Sequence, residues 1–286
     1  AFCMAWYAVF MSSRSSTPVL RSAGLACRSV AVCLLSGWLT QGPKVAAFER
    51  AFAEYHRVPH ALATTSCTTA LHLMLAAAGI GPGDEVIVPS FTWISTANAV
   101  LYTGATPVLC DVDPVTYNID PDDAAARVTE RTKAVIAVHL FGLCVDIPAL
   151  RAVLPNHIDI FEDAACAAGA KLGDEWAGSL GRAAAFSFHP RKSMTTGEGG
   201  MLTTTDPILA EVAEKLRNHG AEISEEQRHA GPQPYLLPDF NLLGFNYRMT
   251  DLQGAVGLVQ LGKLEQFISE RQTWADFYTE ELAGIP

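Results

Sequence analysis

Hydrophobic residues follow two alternating patterns along the chain from about Ser36 onward. Four large side chains share the three-to-four-residue spacing of an amphipathic helix. They are Val45, Phe48, Phe52 and Tyr55. Between such helical segments lie short apolar runs, including "DEVIVPS" and "KAVIAVHLF", which have the length and β-branched content of buried strands. The pattern therefore predicts an α/β protein in which strands and helices follow each other in turn.

Nearly continuous apolar strands are typical of a parallel sheet that helices cover on both faces. The predicted strands that alternate with helical segments are "DEVIVPS", "TPVLCDV", "KAVIAVHLF" and "HIDIFEDA". Two further strands, "AAAFSFH" and "GGMLTTTD", are joined by a short loop that contains Lys192. The expected fold is a three-layer, mainly parallel sheet with helices on both faces.

The pattern divides the chain into three segments. Residues 1–35 begin with the apolar run "AFCMAWYAVFM" and carry arginines but no acidic residue. This composition fits a transit peptide or, as we expect, a misread gene start or a fragment. Residues 36–250 hold the alternating strands and helices and form the expected large domain. Residues 251–286 are predicted as one long amphipathic helix or a pair. We expect them to be an interdomain helix and the start of a smaller, incomplete domain.

Composition narrows the class of protein. The 286 residues are 49% hydrophobic and 17% charged, which is enough apolar material for a full core. A net charge of −10 argues against a nucleic-acid-binding surface, which needs a basic patch. The N-terminal apolar run of about eleven residues is too short to span a membrane. Seven widely spaced cysteines indicate reduced thiols in the cytoplasm rather than disulfides or a zinc site.

Ligands of open α/β sheets bind at the carboxyl ends of the strands, so polar residues there are the candidates for a site. They are Ser66 and Thr68, Pro89 to Trp93, Asp111 and Asp113, His139, Glu162 and Asp163, and Ser187 to Lys192. Within this set, "TTSCTTAL" forms a helix N-terminus whose free amides and dipole can hold a phosphate. Asp163 ends a buried strand, where a carboxylate needs a partner. Trp93 is an aromatic residue near the same edge. Taken alone, each has an ordinary structural explanation as a helix cap, a cap or metal ligand, or a core side chain.

Lys192 differs from the other five lysines. Those lie among polar or helical-surface neighbours, or before a strand on the side away from the expected mouth. Lys192 follows a buried strand on the mouth side, where an amine among apolar walls or near another cation becomes nucleophilic. A phosphate cradle, a buried carboxylate, an aromatic plate and a lysine together are the parts of a pyridoxal 5′-phosphate (PLP) site. The sequence has no G-x-G-x-x-G after the first strand and no P-loop, which disfavours the usual nucleotide enzymes.

Six motifs of the chain resemble one known family. They are "GDEVIVPSFTWISTANAVLYTGATPV", "VHLFG", "EDAA", "FSFHPRKSMTTGEGGML", "RNHG" and "GFNYRMTDLQGAVGLVQL". From about Gly37 to the C-terminus, in this order, the chain resembles the DegT/DnrJ/EryC1/StrS family of PLP-dependent sugar aminotransferases of fold type I. The resemblance implies that residues 36–250 are the PLP-binding large domain of that fold.

The resemblance implies a role for each candidate residue. Lys192 would form the Schiff base with the cofactor and move the proton. Asp163 would pair with the pyridine nitrogen, and Trp93 would stack on the ring. The phosphate would be held by Ser66, Cys67, Thr68 and Ser187. Asn246 would reach the phosphate of the neighbouring subunit's cofactor, which makes a homodimer part of the mechanism.

The implied reaction is a transamination in two halves, with ping-pong kinetics. An amino acid, usually glutamate, would transfer its amino group to the cofactor and leave pyridoxamine 5′-phosphate (PMP). A nucleotide-linked keto-sugar would then accept the amine, and C4 of a 6-deoxy-4-keto sugar is the expected position. Neither a nucleic acid nor a membrane is an expected partner.

Three positions depart from the common pattern of the family. Cys166 stands where many relatives have a glutamine that contacts the phenolic oxygen of the cofactor, and a thiol is a weak hydrogen-bond partner. Ala168 replaces a common histidine, and Cys67 replaces a common glycine. We expect Cys67 and Cys166, with the motifs around them, to be features of a perosamine-synthase-like branch of the family.

The family also continues beyond the point where this chain ends, so we expect the small C-terminal domain to be largely missing. Two alternatives to an active aminotransferase stay open. One is a PMP-dependent sugar dehydratase of the same family, although those members have histidine where Lys192 stands. The other is a truncated protein that binds the cofactor or a partner without turnover.

Overall fold

The structure is a computed structural model that describes residues 23–223, 227–228, 231–233 and 235–285. Residues 1–22, and with them most of the predicted N-terminal segment 1–35, lie outside the described residues. The boundaries of the large domain at residues 36 and 250 stay predictions.

The described residues form a seven-stranded sheet and a two-stranded hairpin. The strands are β1 (His60–Thr64), β2 (Glu85–Pro89), β3 (Thr106–Cys110), β4 (Thr132–Val138), β5 (Asp159–Asp163), β6 (Lys171–Leu172), β7 (Glu175–Trp176), β8 (Ala183–Ser187) and β9 (Gly200–Thr204). The order in the large sheet is β1-β9-β8-β5-β4-β2-β3, and β6 pairs with β7.

Six of the seven strands in the large sheet run in one direction. β2, β3, β4, β5 and β8 pair in parallel, whereas β9 is antiparallel to both of its neighbours, β1 and β8. The predicted mainly parallel sheet is therefore confirmed, and all strands except β9 end at the same edge. The pattern of hydrophobic residues does not predict β1, because its run "HALAT" has no β-branched residue before Thr64.

Helices connect these strands and also follow them. The helices are α1 (Ala23–Ser36), α2 (Pro43–His56), α3 (Cys67–Ala77), α4 (Ser95–Tyr102), α5 (Pro121–Ala126), α6 (Ile147–Val153), α7 (Pro207–Arg217), α8 (Asp251–Leu261) and α9 (Leu264–Glu281). Local sequence fixes several starts: Asp120, Asp146 and Asp206 each cap a helix through the side chain, with proline in the first turn. The predicted C-terminal helical segment is a pair, α8 and α9.

Side chains alternate between the two faces of the sheet along each strand, and helices bury both faces. Phe161 and Ala185 point to one face, which α3, α4 and α7 cover. Ile160 packs on the opposite face with α5 and α6, and Phe186 packs on that face with α2 and α8. The predicted three-layer arrangement, with helices on both faces, is confirmed.

Helix α1 lies inside the segment that the fold prediction left out. Cys33 of α1 is buried, and its Sγ donates to the carbonyl of Asp251 at 3.6 Å. The Asp251 carboxylate in turn accepts from the amides of Lys44 and Val45, so it caps α2. These contacts join α1, α2 and α8 into one layer. None of the helices in the described ranges combines the length and apolarity that crossing a membrane requires.

Candidate active site

The N-terminus of α3 directly follows β1, at the edge of the sheet where the parallel strands end. Ser66 Oγ accepts from the Thr69 amide at 3.2 Å, and Thr69 Oγ1 accepts from the Ser66 amide at 3.0 Å. This capping box leaves the amides of Cys67 and Thr68 as first-turn donors that can hold an anion.

The strand register brings Ser187 towards this helix end. Ser187 pairs with Gly200 of β9, and Gly200 pairs with Thr64 of β1. Adjacent strands are about 4.8 Å apart, so Ser187 lies two strand spacings from the last residue of β1. A Cβ atom on Gly200 would lie 2.4 Å from the carbonyl carbon of Ser66. Glycine is therefore required for β9 to approach α3 this closely.

Asp163 ends β5 with a side chain that is almost fully buried. Its Oδ2 accepts from Thr96 Oγ1 at 2.8 Å, and its Oδ1 accepts from the Ala165 amide at 3.2 Å. Burial raises the pKa of this carboxyl, while the two hydrogen bonds and the charge of Lys192 oppose the rise. A protonated ring nitrogen is the kind of partner that would favour the charged carboxylate here.

Lys192 is half-buried on the loop between β8 and β9. Its amide donates to the carbonyl of His189 at 2.9 Å, and its Nζ donates to Cys166 Sγ at 3.1 Å. Cys67 is close enough to Lys192 and Asp163 for their charges to affect the pKa of its thiol. Burial and the charge of Asp163 raise the pKa of the Cys67 thiol, and the charge of Lys192 lowers it. The structure thus brings Lys192, Asp163, Cys166 and Cys67 together.

Trp93 and Asn246 are exposed, as is Cys166, whereas the other predicted site residues are partly or fully buried. Trp93 is 70% exposed, and its carbonyl accepts from the Thr96 amide, one helical turn from the hydroxyl that binds Asp163. Asn246 is exposed, and its backbone pairs with Asn218. In the described part of the chain, no hydrogen bond joins the Asn246 side chain to Lys192 or Asp163.

Two supporting residues were missed by the sequence analysis. Thr96 binds Asp163 and lies 2.9 Å, hydroxyl to hydroxyl, from Thr92, four positions earlier. Two threonines four residues apart after a strand are typical of one face of a helix, so the sequence alone could have indicated this pair. Arg271 of α9 donates to the carbonyls of Lys192 and Ser193, both at 3.2 Å. Nothing in the local sequence connects Arg271 with a loop 79 residues earlier.

A buried histidine and a buried glutamate lie next to Asp163, at the ends of β4 and β5. His139 Nε2 is 2.8 Å from Glu162 Oε2, and His139 Nδ1 accepts from the Val145 amide at 3.0 Å. Glu162 also accepts from the amides of Gly178, Leu180 and Gly181. These contacts satisfy both side chains, so we assign them to the support of the strand ends. Within the ranges that the structure describes, no group of three or more His, Cys, Asp or Glu residues could hold a metal ion.

The fold and the site together define a class of protein. A lysine amine and a buried carboxylate lie at the carboxyl edge of a three-layer α/β sheet, near a helix N-terminus whose first-turn amides can hold an anion. This is the arrangement of the PLP-dependent transferases of fold type I. The model of the DegT/DnrJ/EryC1/StrS aminotransferase family matches residues 25–286, and the chain belongs to this family. The match begins within α1, upstream of Gly37.

Individual relatives agree with the family match. GDP-perosamine synthase of Caulobacter vibrioides is 45% identical over 255 residues, which cover 88% of this chain and 66% of that protein. The structure of S. venezuelae DesV with a ketimine intermediate is 38% identical, with a TM-score of 0.85 over 94% of this chain and 70% of that chain. A sugar aminotransferase from Streptococcus pneumoniae in its PLP-form is 30% identical, with a TM-score of 0.84 over 91% and 69%. The chain spans about two thirds of the length of these relatives.

Proposed function

We propose that this chain is a PLP-dependent aminotransferase that moves an amino group from glutamate to a nucleotide-linked keto-sugar. The observation that carries the proposal is the amine of Lys192, which lies at the same sheet edge as the buried Asp163 and the N-terminus of α3. When bound, PLP supplies an aldehyde that condenses with amines and a ring that withdraws electrons.

The residues at this edge fit such a cofactor. The phosphate would be held by amides and hydroxyls of Ser66, Cys67, Thr68 and Ser187. Asp163 would pair with the protonated ring nitrogen, which relieves the energetic cost of burying its charge. Trp93 would cover one face of the ring, since its exposed side chain is free to lie flat against a ligand. Cys166 would lie near the phenolic oxygen.

Lys192 moves the proton in this proposal. With the cofactor bound, Lys192 would hold its aldehyde, and the amine, once released, would take the proton from the α-carbon of an amino substrate and return it on the cofactor side. Arg271 holds the carbonyls of Lys192 and Ser193, so the Lys192 side chain swings from a fixed backbone. In the second half of the reaction Lys192 would move the proton in the reverse direction, with PMP as the cofactor form that carries the amine.

The acceptor is assigned from the relatives. GDP-perosamine synthase is named after a nucleotide-linked sugar, and we assign this class of acceptor to the chain, with C4 of a 6-deoxy-4-keto sugar as the position aminated. A sugar dehydratase is disfavoured because Lys192 stands where those members have histidine. A protein that binds the cofactor without turnover is the remaining alternative, and the response of the bound cofactor to glutamate tests it.

We also propose a cytoplasmic homodimer in which Asn246 of each subunit reaches the neighbouring site. The exposed side chain of Asn246 supports such a contact. The six cysteines in the described part of the chain are free thiols, which fits a reducing compartment.

The absorbance spectrum of the chain with bound PLP tests the proposal. We expect a visible band from the lysine-bound cofactor, and we expect glutamate to convert it to a near-ultraviolet band. Lys192→Ala should remove the visible band, while Lys171→Ala, which alters a lysine stacked on Trp176 of the hairpin, should keep it. An unchanged band in Lys192→Ala would refute the lysine assignment. A band that ignores glutamate would favour binding without turnover.

A further inference from the structure

A thiol and an amine face each other at the candidate site. Cys166 Sγ lies 3.1 Å from Lys192 Nζ, and Cys166 is exposed, so small solutes in the solvent reach the sulfur. A separation of about 3–3.5 Å is the range in which two reacting atoms are poised for bond formation. The pair joins the end of β5 to the loop after β8, two segments that are 26 residues apart.

Both backbones that carry the pair are fixed by hydrogen bonds. The Ala167 amide donates to the Ala164 carbonyl at 2.9 Å, which closes a turn around Cys166. Arg271 donates to the carbonyls of Lys192 and Ser193 and holds the lysine loop against α9. Because neither segment must move, a reaction between the two side chains requires little loss of conformational freedom.

Three other cysteines have surroundings that differ from those of Cys166. The thiols of Cys33 and Cys110 donate to backbone carbonyls, which are inert towards sulfur. Cys67 is close to the site, but burial and the charge of Asp163 raise its pKa, so it stays a protonated thiol and a poor nucleophile. Among the thiols that the structure describes, Cys166 is therefore the one with an amine in contact.

We propose that Cys166 and Lys192 form a reversible sulfur–nitrogen cross-link when the protein meets a peroxide. In the first step the sulfur attacks hydrogen peroxide, which gives a sulfenic acid and one water as the O–O bond breaks. In the second step the Lys192 nitrogen attacks the sulfur, an S–N bond forms as the S–O bond breaks, and the hydroxide leaves with one proton from the amine as a second water. The thiol–amine pair loses two protons and two electrons in total, and the peroxide takes them up to form the two waters.

The cross-link would switch off the proposed aminotransferase. The bonded nitrogen of Lys192 is no longer available to the cofactor's aldehyde or to a substrate proton. Two equivalents of a small thiol would restore the pair, because reduction of the S–N bond yields the free thiol and amine together with one disulfide. This consequence rests on the proposed function, whereas formation of the link does not.

Mass spectrometry of the full-length chain tests the link directly. We expect hydrogen peroxide to lower the mass of the cofactor-free chain by about 2 Da, and excess thiol to restore it. Trypsin should stop cleaving after Lys192, and a peptide that joins Cys166 to Lys192 should appear. Cys166→Ser and Lys192→Arg should each prevent the mass loss. Cys27→Ser, which removes another exposed cysteine, should leave the cross-link intact.

Two outcomes would overturn the proposal. One is a gain of about 32 Da at Cys166 with Lys192 still cleaved by trypsin, which means that the thiol oxidises alone. The other is a mass loss that persists in Lys192→Arg, which identifies a disulfide, for example with Cys67. A parallel sample loaded with PLP separates the cross-link hypothesis from the assignment of Lys192 to the cofactor. If the cross-link forms without PLP and PLP does not protect against it, the link stands and the cofactor assignment of Lys192 fails.

Discussion

At the scale of single residues, each carboxylate oxygen of Asp163 is held by a donor from a different part of the chain. The Ala165 amide is local to β5, but the Thr96 hydroxyl comes from α4, 67 positions earlier. Since Thr96 donates to Asp163, it must accept from Thr92, and the two hydroxyls form a short chain that ends on the carboxylate. Because both oxygens of the Asp163 carboxylate are hydrogen-bonded, the buried side chain is stabilised at the end of β5 before a cationic ligand binds.

Replacing Thr96 with valine tests this positioning. Thr96→Val keeps the shape but removes a hydrogen bond to a charged group, which contributes about 1.5–3 kcal/mol. We expect the affinity for PLP to fall about tenfold or more, measured by fluorescence titration. Thr96→Ser should restore most of it.

The matched control for Thr96 is Thr103→Val at the end of the same helix, where the hydroxyl binds the Val100 carbonyl. It should leave the affinity for PLP unchanged. Equal losses in the two valine variants would mean that α4 is merely destabilised and that the hydroxyl of Thr96 has no specific role.

At the scale of elements, the C-terminal end of α2 docks on the sheet through His56. Its Nδ1 lies 2.8 Å from the Ala177 carbonyl, and its ring stacks on Phe52 with centroids 4.4 Å apart. Burial lowers the pKa of His56 to about 4, and the hydrogen bond to Ala177 opposes this only in part. The folded protein therefore keeps His56 neutral at pH values where the unfolded chain binds a proton.

The stability of the fold should fall as the pH drops from about 6.5 to about 4, because only unfolded His56 is protonated in that window. The expected loss is about 3 kcal/mol, measured as urea midpoints across the pH range. His56→Asn should be less stable at pH 7 but should show a flatter pH dependence. The exposed His157→Asn should keep the wild-type slope, and an unchanged slope in His56→Asn would contradict the assignment.

At Ala63, the outer edge of β1 is closed by an ion pair rather than by another strand. The amide of Ala63 donates to Glu49 Oε1 at 2.7 Å, and its carbonyl accepts from Arg217 Nη1 at 2.7 Å. Arg217 is buried and also binds the carboxylates of Glu49 and Glu214. Both polar groups of an edge residue are thereby satisfied, which blocks pairing with a foreign strand.

Arg217→Met should destabilise the fold by about 3–5 kcal/mol, because it leaves the largely buried Glu49 without its cation. Lys215→Met, two residues earlier on α7, removes surface ion pairs with Glu211 and Glu222 and should have a much smaller effect. Denaturant midpoints of the two variants give the comparison. Similar losses would show that the edge contact adds nothing beyond surface charge.

At the scale of the whole molecule, the sheet edge that carries the site also exposes large apolar side chains. Phe91, Trp93 and Ile94 are each about half exposed or more, and the ring of Phe91 lies 5.6 Å from that of Tyr117. Apolar surface of this kind next to a site is typical of an interface. It supports the proposed homodimer, in which Asn246 would enter the site of the other subunit.

Mixed dimers test the sharing of residues between subunits. Lys192→Ala and Asn246→Ala chains should each be inactive alone, because every site lacks one group. After the two are unfolded and refolded together, a mixed dimer contains one site with Lys192 from one chain and Asn246 from the other. We expect mixing to restore activity up to about half of the wild-type level per mixed dimer. Mixed dimers without activity would show that Asn246 acts within its own subunit.

The sequence by itself determined the type and approximate place of most elements, because those features depend on neighbours within a few residues. Caps such as Asp120 and Asp206 bind amides two and three residues away. The continuous apolar runs indicated a sheet buried on both faces, and the motifs around Lys192 indicated the family. The strand β1 was missed because its residues have weak strand propensity and owe their conformation to pairing with β9.

Tertiary structure decided which distant groups meet. Thr96 reaches Asp163 across 67 positions, Arg217 reaches Glu49 across 168, and Arg271 reaches Lys192 across 79. Such pairs have no local signature, because the path of the chain between them sets their distance. The contact between Lys192 and Cys166 belongs to the same group. The sequence named both residues as candidates, but only the packing of β5 beside β8 placed the thiol against the amine.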